Sequence, residues 1–503
     1  MVAPQENDTL REQLQQRDQT IALLQQQVAW FKQQLYGSKS EKIDPNQLQL
    51  LLQGLSLQET GSQDPPPSLD PPKPKGKPRK RRSREETYEN LPFEETVVII
   101  PPEVQKDPER YDKIGQEETF EVDIHPPRLF RRKIIRNIYR DKFDRARAPL
   151  TARAQPRLIE GIASVGLLVH ILISKYRDHL PLYRQRQIFE RYGASFSEQS
   201  LVRWVQVVSG WLKPLYDYIS LEVRKGHYIQ ADETVINYCN PKMRKGKSSK
   251  GYLWVYSNPF GLVTFKWGPS RRAENAIEFL KDFKGLLQAD GYEVYKTVSL
   301  SNVEIILLGC HSHARRYFKE ALEESPVLAG IVIRLIAHLY AVEKKICLSK
   351  YKGAMKEAYR ESQTSLTRKL LHRIIQKLSV CSLPKSRLGR ACTYFLNQWE
   401  SLDNCYKHPG TLIDNNLVEN AIRPTAVGKK NWLFIGHPQA GERTAIHYTI
   451  LESCKRYGHN PTEYLTDVLT RLVKIGRNPK PEQMADLCPS SWKKSKSLEI
   501  KSN

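Results

Sequence analysis

The feature that most constrains this chain is a change of hydrophobic period at residue 226. Over 155–225, just before it, apolar residues recur at helical spacing. After it, they gather in short β-branched and aromatic runs that close on polar residues. Residues 227–234 (His-Tyr-Ile-Gln-Ala-Asp-Glu-Thr) read as a short strand that ends on Asp232. A loop at 240–250 follows, with Lys242, Arg244, Lys245, Lys247 and Lys250. Residues 251–257 and 262–267 form two further strands, and 273–283 a helix. Residues 286–289 form a fourth strand ending on Asp290, and 303–308 a fifth, followed by Cys310-His311-Ser312-His313 and a new helix. One acid at a strand end is a weak signal, more often a turn former or a solvated charge. A second such strand in the same region gives it weight.

A third carboxylate lies far downstream. Residues 318–410 are almost wholly helical. Asp414 then caps a short helix that holds Glu419 and that Pro424 terminates. Three strands, a helix, a strand and a further strand resemble the ribonuclease H-like fold, in which acids end neighbouring strands. That likeness is one of fold only. The expected class is therefore α/β: a ribonuclease H-like core at 226–317 and 411–450, with a helical insertion at 318–410 accounting for the long gap before Glu419. A C-terminal helix and a basic, loose tail from 476 complete the chain at 451–503.

Three carboxylates are the hard oxygen ligands that divalent metals require. Two ions about 3.5–4 Å apart clamp the attacking and leaving oxygens of a phosphodiester displacement. Without metal, such carboxylates repel by roughly 4 kcal/mol per pair near a protein surface, so the cluster is strange in a purely structural protein. In the expected division of roles Asp232 bridges both ions, while Asp290 and Glu419 hold one each. Rival acids are Glu233, Glu274, Asp282, Glu293, Asp414 and Glu442. Arg423 lies one turn after Glu419 and suits a phosphate; Lys429, Lys430 and Trp432 follow as candidate DNA contacts. The plain alternatives are surface charge for the cations and core packing for Trp432. Cys310, His311 and His313 invite a zinc reading, but three ligands within four residues do not close on one tetrahedral ion, so no zinc is expected. Cys310 is expected to pack at the strand end, with His313 near the active centre.

The partner is indicated by charge. A formal net charge of +24 favours a polyanion. Leu14, Ile21, Val28 and Leu35, with Leu10, Leu24 and Phe31, form a heptad seam, so 1–50 reads as a coiled-coil dimerisation helix. Residues 51–86 are a Pro-rich linker with a basic arm at 73–84. Residues 87–150 read as a small β-rich module with strands at 96–100, 120–124 and 133–139, the last interleaved with Arg131, Arg132, Arg136 and Arg140 for phosphates. Residues 151–225 are helical; 182–192, Gly193 and 198–208 outline a helix-turn-helix carrying Arg203. No Cys-x-x-Cys pair occurs among the eight cysteines, which excludes a disulfide framework and suits a reducing interior. The polar, Gln-rich first thirty residues do not read as a signal peptide. The apolar run at 162–174 is too short to span a bilayer. No membrane partner is expected.

Several motifs together are similar to the DDE transposases of the insertion-sequence-sixty-six family. They are Leu-Tyr-Gly-Ser-Lys-Ser-Glu-Lys at 35–42, Ser-Lys-Tyr-Arg-Asp-His-Leu-Pro-Leu-Tyr-Arg-Gln at 174–185 and Leu-Gln-Ala-Asp-Gly-Tyr at 287–292. Cys-His-Ser-His-Ala-Arg-Arg at 310–316, Asp-Asn-Asn-Leu-Val-Glu-Asn-Ala-Ile-Arg-Pro at 414–424 and Lys-Asn-Trp-Leu-Phe-Ile-Gly at 430–436 complete the set. The resemblance implies Asp232, Asp290 and Glu419 as catalytic triad, and it selects Asp232 over Glu233. It implies magnesium as cofactor, with manganese as a substitute, and bacterial mobile-element DNA as substrate. Self-association, accessory proteins of the same element and a cytoplasmic, nucleoid-associated location are its further implications. One departure stands out: the family carries a Cys-rich zinc-finger segment after the linker, and residues 87–150 hold no cysteine. The rival reading is a catalytically silent, dimeric DNA-binding protein. A tyrosine recombinase fits poorly, because no Arg/His/Tyr arrangement stands out.

Overall fold

The computed structural model describes residues 129–139, 150–151, 154, 156–240, 248–408 and 410–494. All of them belong to one compact unit, Val122–Asn503. The expected coiled coil, the linker and the strands at 96–100 and 120–124 lie outside the described residues.

The first described elements are two-residue strands, β1 (Ile138–Tyr139) and β2 (Leu150–Thr151), paired antiparallel. The strand expected over 133–139 is reduced to its last two residues. Ile134 and Ile135 are 63% and 69% exposed, so no buried face holds the rest in a sheet. Helix α1 (Val165–Tyr176) starts at Ser164, whose hydroxyl accepts from Leu167 N. Helix α2 (Leu182–Arg191) ends in a turn at Gly193, whose φ of 80° suits glycine. Helix α3 (Glu198–Lys225) starts at the Ser197 cap and runs far beyond 208, through Pro214. Its length follows from an unbroken buried stripe: Leu201, Trp204, Val205, Val208, Trp211, Leu212, Leu215, Ile219 and Val223.

Five strands follow: β3 (Tyr228–Cys239), β4 (Ser248–Ser257), β5 (Val263–Gly268), then β6 (Gly285–Gln288) after helix α4 (Glu274–Leu280), and β7 (Ile305–Leu308) after helix α5 (Glu293–Ser301). Their order across the sheet is β5-β4-β3-β6-β7. The β3–β4 and β4–β5 pairs are antiparallel, whereas β3–β6 and β6–β7 are parallel. The protein is thus a mixed α/β structure around one five-stranded sheet.

Helix α6 (His311–Ala321) opens a run of helices: α7 (Pro326–Leu348), α8 (Gly353–Cys381), α9 (Arg387–Asn397) and α10 (Trp399–Lys407). These share their own core, built on Phe318, Ile336, Leu371, Ile375, Phe395 and Leu402. By length and composition α7 would pass as a membrane span. It instead buries Ala329, Val332, Ile333, Ile336 and Leu339 in that core. The chain returns to the sheet with α11 (Asn416–Trp432), followed by α12 (Pro438–Arg456), α13 (Pro461–Ile475) and α14 (Pro481–Leu487). The tail is not loose over its described part. Met484, Leu487 and Cys488 are buried, and Trp492 Nε1 donates to Asp467 Oδ2 at 2.8 Å. A few well-spaced apolar anchors suffice to dock it, and these do not register as a periodic pattern.

Both sheet edges are covered. On β5, Val263 N donates to Ser453 Oγ and Phe265 N to Thr449 Oγ1, both on α12. These hydroxyls satisfy edge groups that would otherwise invite another strand. On β7, Asn404 of α10 donates to Leu307 O. Helix α12 comes close because Gly441 leaves room for Trp267 of β5; a Cβ there would lie 2.2 Å from the indole. Gly251 of β4 makes room for the same ring. A Gly441→Val variant is therefore expected to lose about 1–3 kcal/mol of stability through overpacking, read as a lower urea midpoint at unchanged slope.

Candidate active site

Asp232 lies inside β3, not at its end. Antiparallel pairing with β4 carries β3 on to Cys239, and residues 237–239 are further tied by hydrogen bonds to Ile435. Parallel pairing with β6 stops earlier, at Gln230↔Gln288. The strand ends on one side only, and that side holds the acids. Asp232 is two residues beyond the last β3–β6 pair, and Asp290 is two residues beyond it on the partner strand. The register thus brings two carboxylates to the same end of two adjacent parallel strands.

Side chains alternate between the faces of a strand. Gln230, Asp232 and Thr234 share one face of β3. There Gln230 Nε2 donates to Asp414 O at 2.9 Å, and Lys429 Nζ lies 3.5 Å from Thr234 Oγ1. Glu233 turns the other way. Its carboxylate, 4% exposed, accepts from Arg271 (Nε at 3.0 Å) and from Tyr295 OH (3.2 Å). Arg271 in turn lies 3.8 Å over the Tyr292 ring. Glu233 is therefore committed to an ion pair on the opposite face.

Glu419 arrives in the first turn of α11, which packs on β3 and β4. Asn415 is the cap residue, while Asp414 Oδ1 accepts from Asn416 N at 3.2 Å. Pro424 does not terminate this helix. It sits inside, and burial of Val418, Ala421, Ile422, Thr425 and Gly428 holds the helix together despite the missing N–H. The segment leading to α11 is fastened from several sides. Arg360 of α8, paired with Glu343 at 2.6 Å, donates to Thr411 O at 2.9 Å. His311 N donates to Ile413 O at 2.9 Å, which ties the start of α6 to the same segment. The start of α6 and the first turn of α11 are thus held together, which brings Cys310 and His313 beside Glu419.

Beneath the aspartates lies a buried polar ladder that the sequence reading missed. Gln288 Oε1 accepts from Gln230 Nε2 at 2.8 Å and from Tyr228 OH. Gln288 Nε2 donates to Gly309 O at 2.9 Å and to Leu412 O at 2.8 Å. One amide therefore joins β3, the end of β7 and the segment carrying Glu419. The signal was present in the sequence: Gln-Ala-Asp occurs twice, at 230–232 and 288–290.

The electrostatics follow from this placement. Burial first, then Glu233 and Asp290, with Glu419 a smaller contributor, push the Asp232 carboxyl up to about 8, although Glu233 N donates to its Oδ1 at 2.8 Å. Asp290 Oδ1 accepts from Tyr292 N at 3.0 Å. His313 Nδ1 lies 3.7 Å from Glu419 Oε1, beyond hydrogen-bond reach, and has no hydrogen-bond partner. Burial lowers the His313 pKa, against the pull of Glu419 and Asp290. Asp232 is half-buried among acidic neighbours, and carboxylates are ligands suited to a hard divalent ion, although among the described residues the oxygens of Asp232, Asp290 and Glu419 do not all come within 4.8 Å of one another.

The other candidate residues occupy varied settings. Arg423 and Lys430 are exposed on α11. Lys429 is half-buried, and its ammonium donates to Val235 O at 3.1 Å, so it ties α11 to β3. Trp432 is half-buried and packs against the main core. Arg131, Arg132 and Arg136 lie on the exposed segment before β1, and Arg203 on the exposed face of α3. Cys310 caps α6 and is buried, as expected for a residue at a strand end.

A mixed α/β sheet with carboxylates at the end of its parallel strands is the class of site that the geometry defines. The profile of the Transposase IS66 family matches residues 160–443. The chain belongs to that family. The profile described as Transposase C of IS166 homeodomain matches residues 23–96, and the IS66 C-terminal element matches 449–490. Among relatives in Sinorhizobium fredii, the uncharacterized protein y4jD is 31% identical, covering 97% of this chain and 98% of the relative. The uncharacterized protein y4qI is 32% identical over 80% of this chain and 76% of its own length.

Two outcomes are expected. In metal-free protein, between the ordinary aspartate pKa and about 8, folded Asp232 keeps a proton that the unfolded chain has shed. Stability should therefore fall as pH rises across that window. In Asp232→Asn this component of the fall should vanish, as read by thermal unfolding at a series of pH values. Replacing Gln288 by Leu strands buried partners of its amide and should cost at least about 1–3 kcal/mol in urea unfolding.

Proposed function

We propose that this transposase cuts and joins DNA at a site formed by Asp232, Asp290 and Glu419 in a ribonuclease H-like core. The sheet order, with a three-strand antiparallel half followed by two parallel strands, supports that fold reading. The observation that carries the proposal is the shared register of Asp232 and Asp290 beyond the Gln230–Gln288 pair, with Glu419 brought to the same end.

The three carboxylates would hold magnesium, or manganese in its place, and the ion would supply charge neutralisation at the attacking and leaving oxygens of a phosphodiester. The chain's own residues bind and orient. Asp232 would be shared by both ions, while Asp290 and Glu419 would each hold one. Gln288 fixes the distance between the strands and the returning helix. Arg423 and Lys430, exposed on α11, hold backbone phosphates near the cut. Arg131, Arg132, Arg136 and Arg203 bind DNA further along. Lys429 serves chiefly to anchor α11, and Trp432 to pack its end.

In the first reaction water displaces a 3′ oxygen at the element's end and frees a 3′-hydroxyl. In the second, that hydroxyl attacks a phosphodiester of target DNA and joins to it. Work on two DNA sites at once calls for self-association and for accessory proteins of the same element. The setting is the bacterial cytoplasm, at the nucleoid.

Purified protein incubated with its element ends and magnesium should nick and join them, and Asp232→Ala should reduce both products to background. Undiminished cleavage by that variant would remove Asp232 from the site. End-specific binding without metal-dependent nicking by the wild type would identify a silent DNA-binding protein instead.

A further inference from the structure

Beside the three carboxylates is a second donor set with different chemistry. Cys310 caps α6, and His313 follows on the same face of its first turn. Glu419 enters from the first turn of α11. One ligand atom from each, a sulfur, a ring nitrogen and a carboxylate oxygen, lie within 4.8 Å of one another. His313 Nδ1 is buried without a hydrogen-bond partner. Glu419 retains 35% of its side-chain exposure and leaves a path from solvent. Spacing excludes a site made of Cys310, His311 and His313 alone; here Glu419, from another helix, joins Cys310 and His313 in place of His311. His311 is occupied elsewhere, with Nδ1 3.1 Å from Ile413 O.

We propose that Cys310, His313 and Glu419 form a binding site for a thiophilic divalent cation of the zinc type, with water as fourth ligand. Three protein ligands and one open position suit tetrahedral zinc, at bond lengths of about 2.0–2.3 Å. The thiol separates this site from the magnesium set, since soft sulfur selects zinc or cobalt and discriminates against hard ions. On binding, Cys310 gives its thiol proton to solvent and its sulfur becomes a ligand. Glu419 belongs to both donor sets, so zinc held here draws it from the aspartates. The ion site itself rests on geometry and does not depend on the transposition chemistry.

Cobalt(II) is the probe. Full-length protein, freed of metal with a chelator, is titrated with Co2+ without DNA. A near-ultraviolet sulfur-to-cobalt band and visible bands of a tetrahedral ion should saturate at a single equivalent, and Zn2+ should abolish them. Cys310→Ala should lose the sulfur band. Glu419→Gln should keep it but bind cobalt roughly 10–100-fold more weakly. Asp232→Asn should titrate like the wild type, which separates failure here from failure of the catalytic assignment. No sulfur band in the wild type, or a band that survives Cys310→Ala, overturns the proposal. Should Cys310→Ala not fold by circular dichroism, Glu419→Gln decides, and an unchanged cobalt affinity overturns it.

Discussion

Gln230 and Gln288 meet across two parallel strands at the last point where those strands pair. The rest of the site depends on this contact. A strand slipped by one residue would turn every side chain to the opposite face, and Asp232 would change places with Glu233. The glutamine amides oppose such a slip because each is buried and bonded to fixed backbone: Gln230 to Asp414 O, Gln288 to Gly309 O and Leu412 O. The same bonds fix where the chain re-enters after four intervening helices, α7 to α10, and hence where Glu419 stands. A long excursion between Asp290 and Glu419 is tolerable because its return is anchored to the sheet by side chains, including Arg360 from the excursion itself.

The cost of that arrangement is electrostatic. Carboxylates are gathered where burial already disfavours charge, and the Asp232 carboxyl responds by holding its proton to about 8. Glu233, the neighbouring acid, is neutralised on the opposite face by Arg271 and Tyr295. The contrast separates an acid neutralised by its neighbours from one left among other acids, where the proposed site lies. One carboxylate has a cation and a phenol for company; the other has acids.

Much of the sheet was legible in the sequence, because short β-branched and aromatic runs, buried in succession in β4 and β6, end at polar boundaries. The strand order around Asp232 and Asp290 follows from such runs. What the pattern could not give was extent. Residues Thr234 to Cys239 continue β3 because β4 pairs with them, a tertiary fact with no local signature. Helix α3 runs past 208 and α11 past Pro424 for the same reason, since burial along one face outweighs a local breaker. The approach of Glu419 to Cys310 and His313 was not legible, because a residue from a distant helix is invisible to spacing. The glutamine ladder was visible as a repeated Gln-Ala-Asp, yet polar residues in a strand are usually assigned to its solvent face.

The most direct measurement is the anomalous scattering of manganese in crystals of the full-length protein grown with Mn2+. A manganese peak between the carboxylates of Asp232, Asp290 and Glu419 is expected, and it should disappear in Asp232→Asn. Manganese bound at Glu233, or no peak among the three carboxylates at a saturating concentration, would contradict it.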